Sequence, residues 1–105
     1  MTTTEKKKQV RIALVMRSVR SAIGYNQVQF AELIGSSKPT IARIETLEMP
    51  MNGELYTRMV EQLEELGIKI DSDQDGVSLH FDERAVTLLQ DRLQDATLRR
   101  PDRKK

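Results

Sequence analysis

The most constraining feature of this sequence is a pair of short apolar segments that a single glycine, Gly35, separates. Ala31 and Ile34 precede the glycine and Ile41 and Ile44 follow it, in each case at the spacing of one helix face. Glycine permits a turn with positive φ, and the small side chain of Ala31 lets a second helix cross closely. The pattern predicts a helix-turn-helix. An ordinary helical hairpin within a bundle is the alternative.

Composition restricts the chain to one small domain and to few kinds of chemistry. Of its 105 residues, 38% are hydrophobic and 31% are charged, which allows a modest core. Cysteine is absent, so disulfides and thiolate metal sites are excluded. His80 is the one histidine. The sequence has no nucleophile–base set and no phosphate-binding loop. We therefore expect a cytoplasmic binding protein without enzymatic activity, metal or cofactor.

The net charge of +1 hides an uneven distribution along the chain. Residues 1–43 carry eight lysines and arginines against two acidic residues, whereas residues 44–82 carry two against ten. Residues 83–105 are basic again. The basic first part suits a polyanion and the acidic middle does not.

Apolar spacing and capping residues predict a mainly α fold, with a small helical domain followed by a short β-hairpin and a C-terminal helix. Residues 1–9 are predicted to form a flexible basic arm and residues 10–67 a four-helix domain. Residues 68–98 follow as the hairpin and the helix, which we interpret as a dimerisation extension. Residues 99–105 form a basic tail. No run of residues has the ~20 apolar positions of a membrane span.

The segment between the two predicted strands is rich in aspartate. Asp71, Asp73, Asp75 and Gly76 match the first half of a calcium-binding loop. The flanking residues alternate as strands rather than helices, and the last ligand position holds Asp82 where a bidentate glutamate is usual. The sequence therefore favours a hairpin turn over a calcium site.

The last predicted helix carries an apolar stripe whose partner the sequence does not reveal. Its members have heptad-like spacing over fewer than three heptads, which is weak for a coiled coil. Covering the chain's own core is one interpretation, and homodimerisation, which we favour, is the other. The stripe consists of Val86, Leu89, Leu93 and Ala96.

Residues 20–45 resemble the Cro/phage-repressor helix-turn-helix family, also called the XRE family. The resemblance rests on Gln27 at the start of the second helix, on the set Ala31, Gly35 and Ile41, and on the closing Glu45. It extends to about residue 68. It implies the lambda-repressor-like fold for the helical domain and a bacterial, phage or mobile-element origin.

The resemblance also implies roles for individual residues. Gln27 matches a glutamine whose backbone and side chain meet a phosphate at a helix N-terminus. Arg20 and Glu45 match a structural ion pair. Outward positions of the recognition helix, residues 37–45, are matched by Ser37, Lys38, Pro39, Thr40 and Arg43. Further candidate backbone contacts are Lys6, Lys7, Lys8, Arg17, Asn26, Gln29 and Ser36.

The side-chain chemistry of the outward positions differs. Arg43 can pair with both acceptors of a guanine edge, and Lys38 can reach guanine or a phosphate. Thr40 offers a hydroxyl to phosphate or a methyl to thymine, whereas Pro39 can read only shape or apolar surface.

The sequence departs from the family pattern after the predicted recognition helix. Leu47 stands where the family usually has glycine, and residues 46–52 hold an acid and methionines where basic residues often contact phosphate. Lys6, Lys7 and Lys8 are open to two interpretations, a compensating DNA-contacting arm or a solubilising tail.

Two functions follow as expectations. The first is a homodimeric, sequence-specific regulator of transcription that binds an inverted repeat in double-stranded DNA, as a repressor or autoregulator. The alternative is an antitoxin-like module that binds a partner protein through residues 68–105. Neither involves a membrane.

Overall fold

The structure, a computed structural model that describes residues 2–94, is mainly helical with one antiparallel β-hairpin. This confirms the predicted fold class, a small helical unit followed by a hairpin and a helix. Within the described residues, no helix is both long and apolar enough to cross a membrane. The elements in chain order are α1 (Thr3–Ile23), α2 (Gln27–Ile34), α3 (Lys38–Glu45), α4 (Gly53–Glu65), β1 (Ile68–Asp73), β2 (Gly76–Phe81) and α5 (Glu83–Gln94).

Local capping residues set the helix boundaries where the sequence predicts them. Asn26 caps α2 in a reciprocal capping box with Gln29. Ser37 caps α3 and accepts from the backbone N–H of Thr40 at 3.4 Å. Gly35 ends α2 in the left-handed conformation with φ of 74°.

The predicted flexible arm over residues 1–9 is wrong, because residues 3–9 form the first turns of α1. The hydroxyl of Thr2 caps the helix by accepting from the backbone N–H of Glu5 at 3.0 Å. The side chain of Gln9 is buried, and its Oε1 accepts from the backbone N–H of Met51 at 2.9 Å. These contacts fix the segment as a helix, so Lys6, Lys7 and Lys8 lie on a helical surface.

A single core joins the first four helices to the hairpin and α5. Apolar stripes of α1 and α4 enclose α2 and α3, and β1 adds Ile68 while α5 adds Ala85. Burial of such side chains is the main favourable contribution to folding. The largest fully buried side chains are Phe30, Met16, Ile23, Ile34, Ile41, Ile44, Met59, Leu63, Ile68 and Val19.

The hairpin has one apolar and one polar face, as its alternating sequence predicts. Ile68 pairs with Phe81 and Ile70 with Leu79 on the face toward the core, while Lys69 pairs with His80 on the other face. In the turn, Asp73 Oδ1 accepts from the backbone N–H groups of residues 75 and 76 at 2.8 and 3.2 Å. Residues 2–94 contain no group of three or more histidine or acidic side chains arranged to hold a metal ion.

The start of α5 packs directly against Gly67, in the turn that follows α4. Asp82 Oδ1 accepts from the backbone N–H of Arg84 at 2.9 Å and caps the helix, as predicted. Gly67 has φ of 90°, and a Cβ there would meet Asp82 and the backbone of Ala85. Glycine is therefore required at this junction. Ala96 and the predicted basic tail, residues 99–105, lie outside the described residues.

Candidate nucleic-acid interface

The turn between α2 and α3 is held from a third helix. Gly35 has the positive φ that the sequence predicts for this position. Arg58 of α4 donates from Nε to the carbonyl of Ile34 and from Nη2 to the carbonyl of Gly35, each at 3.2 Å. A helix leaves its last carbonyls without intrahelical partners, so Arg58 satisfies these groups and fixes α2 relative to α4.

The outward side of α3 is polar and basic. Lys38, Pro39 and Arg43 are exposed, as the sequence predicts for an outward face. The Ser37 hydroxyl donates to Thr40 Oγ1 at 3.0 Å, so these two hydroxyls are already bonded to each other at the start of the helix. The acidic residue of α3 is buried, which leaves no exposed carboxylate on this helix.

That acidic residue, Glu45, is the centre of a buried polar network. Its side chain is only 4% exposed. Arg20 donates from Nε to Oε2 at 2.7 Å and from Nη2 to Oε1 at 2.8 Å, which is a bidentate pair between α1 and α3. Gln27 Nε2 donates to Oε1 at 3.1 Å. The structure therefore brings together the two residues of the predicted ion pair and adds Gln27.

The charge of Glu45 is stabilised by this network. Burial alone would raise the pKa of the carboxyl group. The hydrogen bonds from Arg20 and Gln27, together with the positive charges of Arg20 and Arg17, outweigh burial and hold the pKa of Glu45 below its ordinary value of 4.5. The carboxylate of Glu45 is thus ionised at neutral pH, and its lowered pKa depends on Arg20.

The contacts of Gln27 differ from those that the family resemblance implies. One N–H of its side-chain amide is bonded to Glu45. The backbone N–H groups of Gln27 and Val28 lie in the first turn of α2, where no intrahelical acceptor exists. The anion-binding capacity of this helix end therefore lies chiefly in its backbone.

The candidate backbone contacts fall into two groups. Asn26 and Gln29 bond to each other's backbone in the capping box, at 2.9 and 2.8 Å, and Ser36 is half-buried. The side chains of Asn26 and Gln29 are therefore occupied by local structure. Arg17, Lys6, Lys7 and Lys8 are exposed on α1. Successive helical residues are about 100° apart, so the three lysines spread around the helix rather than forming a row.

Leu47, at the position where the resemblance implies glycine, has a backbone conformation that suits glycine. Leu47 has φ of 65°, the left-handed conformation that glycine adopts most easily. The carbonyl of Arg43 accepts from the backbone N–H of Glu48 at 2.7 Å and holds the loop in this shape. The exposed Glu48 carboxylate accepts from the Thr46 hydroxyl at 2.9 Å, so this loop offers an anion where the resemblance implies a phosphate contact.

We expect Leu47→Gly to be more stable than Leu47→Ala by about 0.5–1 kcal/mol. Both variants remove the half-buried side chain, but only glycine relieves a left-handed strain of about 1–2 kcal/mol. The greater conformational freedom of glycine in the unfolded chain reduces this gain by about 0.5–1 kcal/mol. Urea unfolding of both variants measures the difference. Equal stability, or a more stable alanine variant, would contradict a strained Leu47.

Two contacting residues were missed by sequence reasoning. Arg58 is one of two basic residues in the acidic stretch 44–82, and its isolation there was a usable signal. Arg92 of α5 lies over the ring of Tyr25, and nothing in the local sequence relates residues so far apart. Both arginines bond to backbone carbonyls at helix ends.

Comparison with family models, curated proteins and solved structures gives no match to this chain. The function is therefore inferred from the geometry of α2, α3 and the residues that hold them.

Proposed function

We propose that this protein is a sequence-specific DNA-binding regulator of transcription that acts as a homodimeric repressor or autoregulator. The observation that carries the proposal is the α2–α3 pair, in which the basic side of α3 is exposed while its acidic residue is buried in an ion pair. Helix-turn-helix proteins place the second helix of such a pair in the major groove.

The distribution of charge favours one face of the protein as the DNA-binding surface. Exposed basic side chains lie on α3 and on α1, at Lys38, Arg43 and Arg17. Exposed acidic side chains concentrate on α4 and in the hairpin. Because a phosphate backbone attracts cations and repels carboxylates, α3 and the start of α2 are the surface for a duplex.

Individual residues then have distinct roles in the proposed complex. Arg43 and Lys38 read base edges or phosphates, and Pro39 contacts bases through its apolar ring. The backbone N–H groups at the start of α2 bind a phosphate. Arg20 and Glu45 hold α1 against α3 and do not contact DNA.

A homodimer would form through the apolar face of α5, defined as Val86, Leu89 and Leu93. The side chains of Val86 and Leu93 are 46% and 73% exposed, and Leu89 is half-buried. Two copies paired through this face would present two α3 helices to an inverted repeat, with half-sites about one helical turn apart. In the proposed mechanism, the bound dimer excludes other proteins from the promoter.

Selection of binding sites from random duplex DNA, at near-physiological salt, tests the proposal. We expect an inverted repeat whose half-sites are centred about 10 base pairs apart. Recovery of no common sequence, with binding that salt abolishes, would show non-specific binding only and would overturn sequence-specific regulation.

Arg43→Ala is expected to lower affinity for the selected site by about 1–3 kcal/mol and to relax the preference at one base position. The reason is the loss of a bidentate contact to a base edge. Fluorescence anisotropy with the selected site and its single-base variants measures both effects. Lys69→Ala, which removes one charge from the polar face of the hairpin, is the matched control and should bind normally. Unchanged base preference in the Arg43 variant would remove Arg43 as a base reader.

The apolar face of α5 also favours a second candidate function. An exposed apolar helix face can bind a different protein as readily as a second copy. The antitoxin-like alternative assigns residues 68–105 to such a partner. The double variant Val86→Glu, Leu93→Glu, which leaves the core intact, would then abolish neutralisation of the partner, whereas a homodimeric regulator would lose DNA affinity.

A further inference from the structure

A single arginine connects α5 to the turn between α1 and α2. The guanidinium carbon of Arg92 lies 5.4 Å from the centroid of the Tyr25 ring, within the range of a cation–π contact. Its Nη2 donates to the carbonyl of Gly24 at 3.4 Å, across 68 residues of sequence. A Cβ on Gly24 would lie 3.2 Å from that nitrogen, so the approach is close.

The turn that Arg92 contacts is the one that places the first residues of α2. Tyr25 immediately precedes the N-cap, Asn26. On its other side, the carbonyl of Tyr25 accepts from Arg20 Nη1 at 3.2 Å. Arg20 in turn holds Glu45, the last residue of α3. Tyr25 is therefore held between an arginine from α5 and the arginine that fixes α3.

The environment of Arg92 fits a positioning role better than a phosphate contact. Its side chain is half-buried, and Nε is buried without a hydrogen-bond partner among residues 2–94. A guanidinium packed on a ring and bonded to a carbonyl has fewer free donors for a phosphate than the exposed Arg43.

We propose that Arg92 is a positioning residue, which fixes the start of α2 from α5 and thereby sets the DNA-binding geometry of α2 and α3. The inference rests on the proposed function, because it assigns the extension helix a role in DNA binding beyond dimerisation. Since α5 also carries the apolar face, a single helix contributes to both the proposed dimer contact and the alignment of the DNA-binding groups.

Arg92→Ala, Arg92→Lys and Tyr25→Leu test the contact, with Lys69→Ala as the control for charge. We expect Arg92→Ala to weaken binding to the selected site by about tenfold and Tyr25→Leu to act in the same direction. Arg92→Lys should keep part of the affinity, because an ammonium group also binds an aromatic face. The double variant of Arg92 and Tyr25 should lose little more than Arg92→Ala alone.

Salt dependence separates positioning from direct contact. If Arg92 positions α2, the slope of log K against log salt stays that of the wild type, and affinity for random-sequence DNA changes little. A slope reduced by about one would instead identify a lost phosphate contact and overturn the proposal. An unchanged affinity for the selected site would also overturn it.

Amide hydrogen exchange tests the contact without DNA. Arg92→Ala should speed exchange of the backbone N–H groups of residues 25–30 while exchange in α4 stays unchanged. If the wild type selects no site, the proposed function fails, and this measurement still decides whether Arg92 holds the turn. Unchanged exchange at residues 25–30 would show that it does not.

Discussion

Arg20→Ala is expected to destabilise the protein by about 3 kcal/mol at neutral pH. Removing one partner of a buried ion pair costs about 3–5 kcal/mol, since the other charge remains buried and uncompensated. Arg20 is 21% exposed, which places the cost at the lower end of that range. The loss is a large part of the total stability of a small domain. Urea unfolding followed by circular dichroism measures it.

The pH dependence of the stability lost in Arg20→Ala tests whether the unpaired charge of Glu45 causes that loss. In the wild type the lowered pKa of Glu45 contributes stability at neutral pH, which is lost as the pH falls below 4.5 and the carboxylate is protonated. Without Arg20, burial is opposed by the Gln27 hydrogen bond and the Arg17 charge alone, so the pKa of Glu45 is higher than in the wild type and protonation relieves a poorly compensated buried charge. The penalty of Arg20→Ala should therefore shrink as the pH falls toward and below 4.5.

The double variant Arg20→Met, Glu45→Met is the control. Replacing a buried pair with apolar residues of similar size is often neutral, so this variant should recover most of the stability that Arg20→Ala loses. A penalty for Arg20→Ala that does not depend on pH would show that Glu45 is not the group left uncompensated.

The sequence predicts the helices because their boundaries depend on neighbouring residues. Asn26, Ser37 and Asp82 cap helices by bonding to backbone N–H groups two or three positions away. Gly35 ends α2 through its own backbone conformation. Each of these signals involves only a few neighbouring residues, so a local sequence pattern suffices to predict the helix boundary.

The predictions from sequence are wrong or incomplete where contacts between residues far apart in sequence determine the structure. Residues 3–9 are helical partly because Gln9 bonds to Met51, 42 positions away, and a run of lysines alone indicates a flexible arm. In the site, the resemblance supplies Arg20 and Glu45, but the contacts of Arg58 and Arg92 are made only after α4 and α5 pack against the earlier helices. Such contacts leave no periodic signal in the sequence.

The double variant Val86→Glu, Leu93→Glu should convert the proposed dimer to a monomer and lower affinity for the inverted repeat by about 100-fold or more. Two linked DNA-binding surfaces bind two half-sites far more tightly than one surface binds one, and the added carboxylates would repel across a twofold contact. Both positions are exposed in the single chain, at 46% and 73%. The unfolding free energy of the monomer should therefore change by no more than about 0.5 kcal/mol per site.

Thr87→Glu is the matched control, because Thr87 is exposed on the same helix but lies outside the apolar face. It should leave both the dimer and DNA affinity unchanged. Analytical ultracentrifugation gives the oligomeric state, and anisotropy with full and half sites gives the affinity. A double variant that stays dimeric would assign dimerisation to another surface. A wild type that is monomeric but binds a different protein through α5 would favour the partner-binding function, because the same face would then serve a heterologous contact.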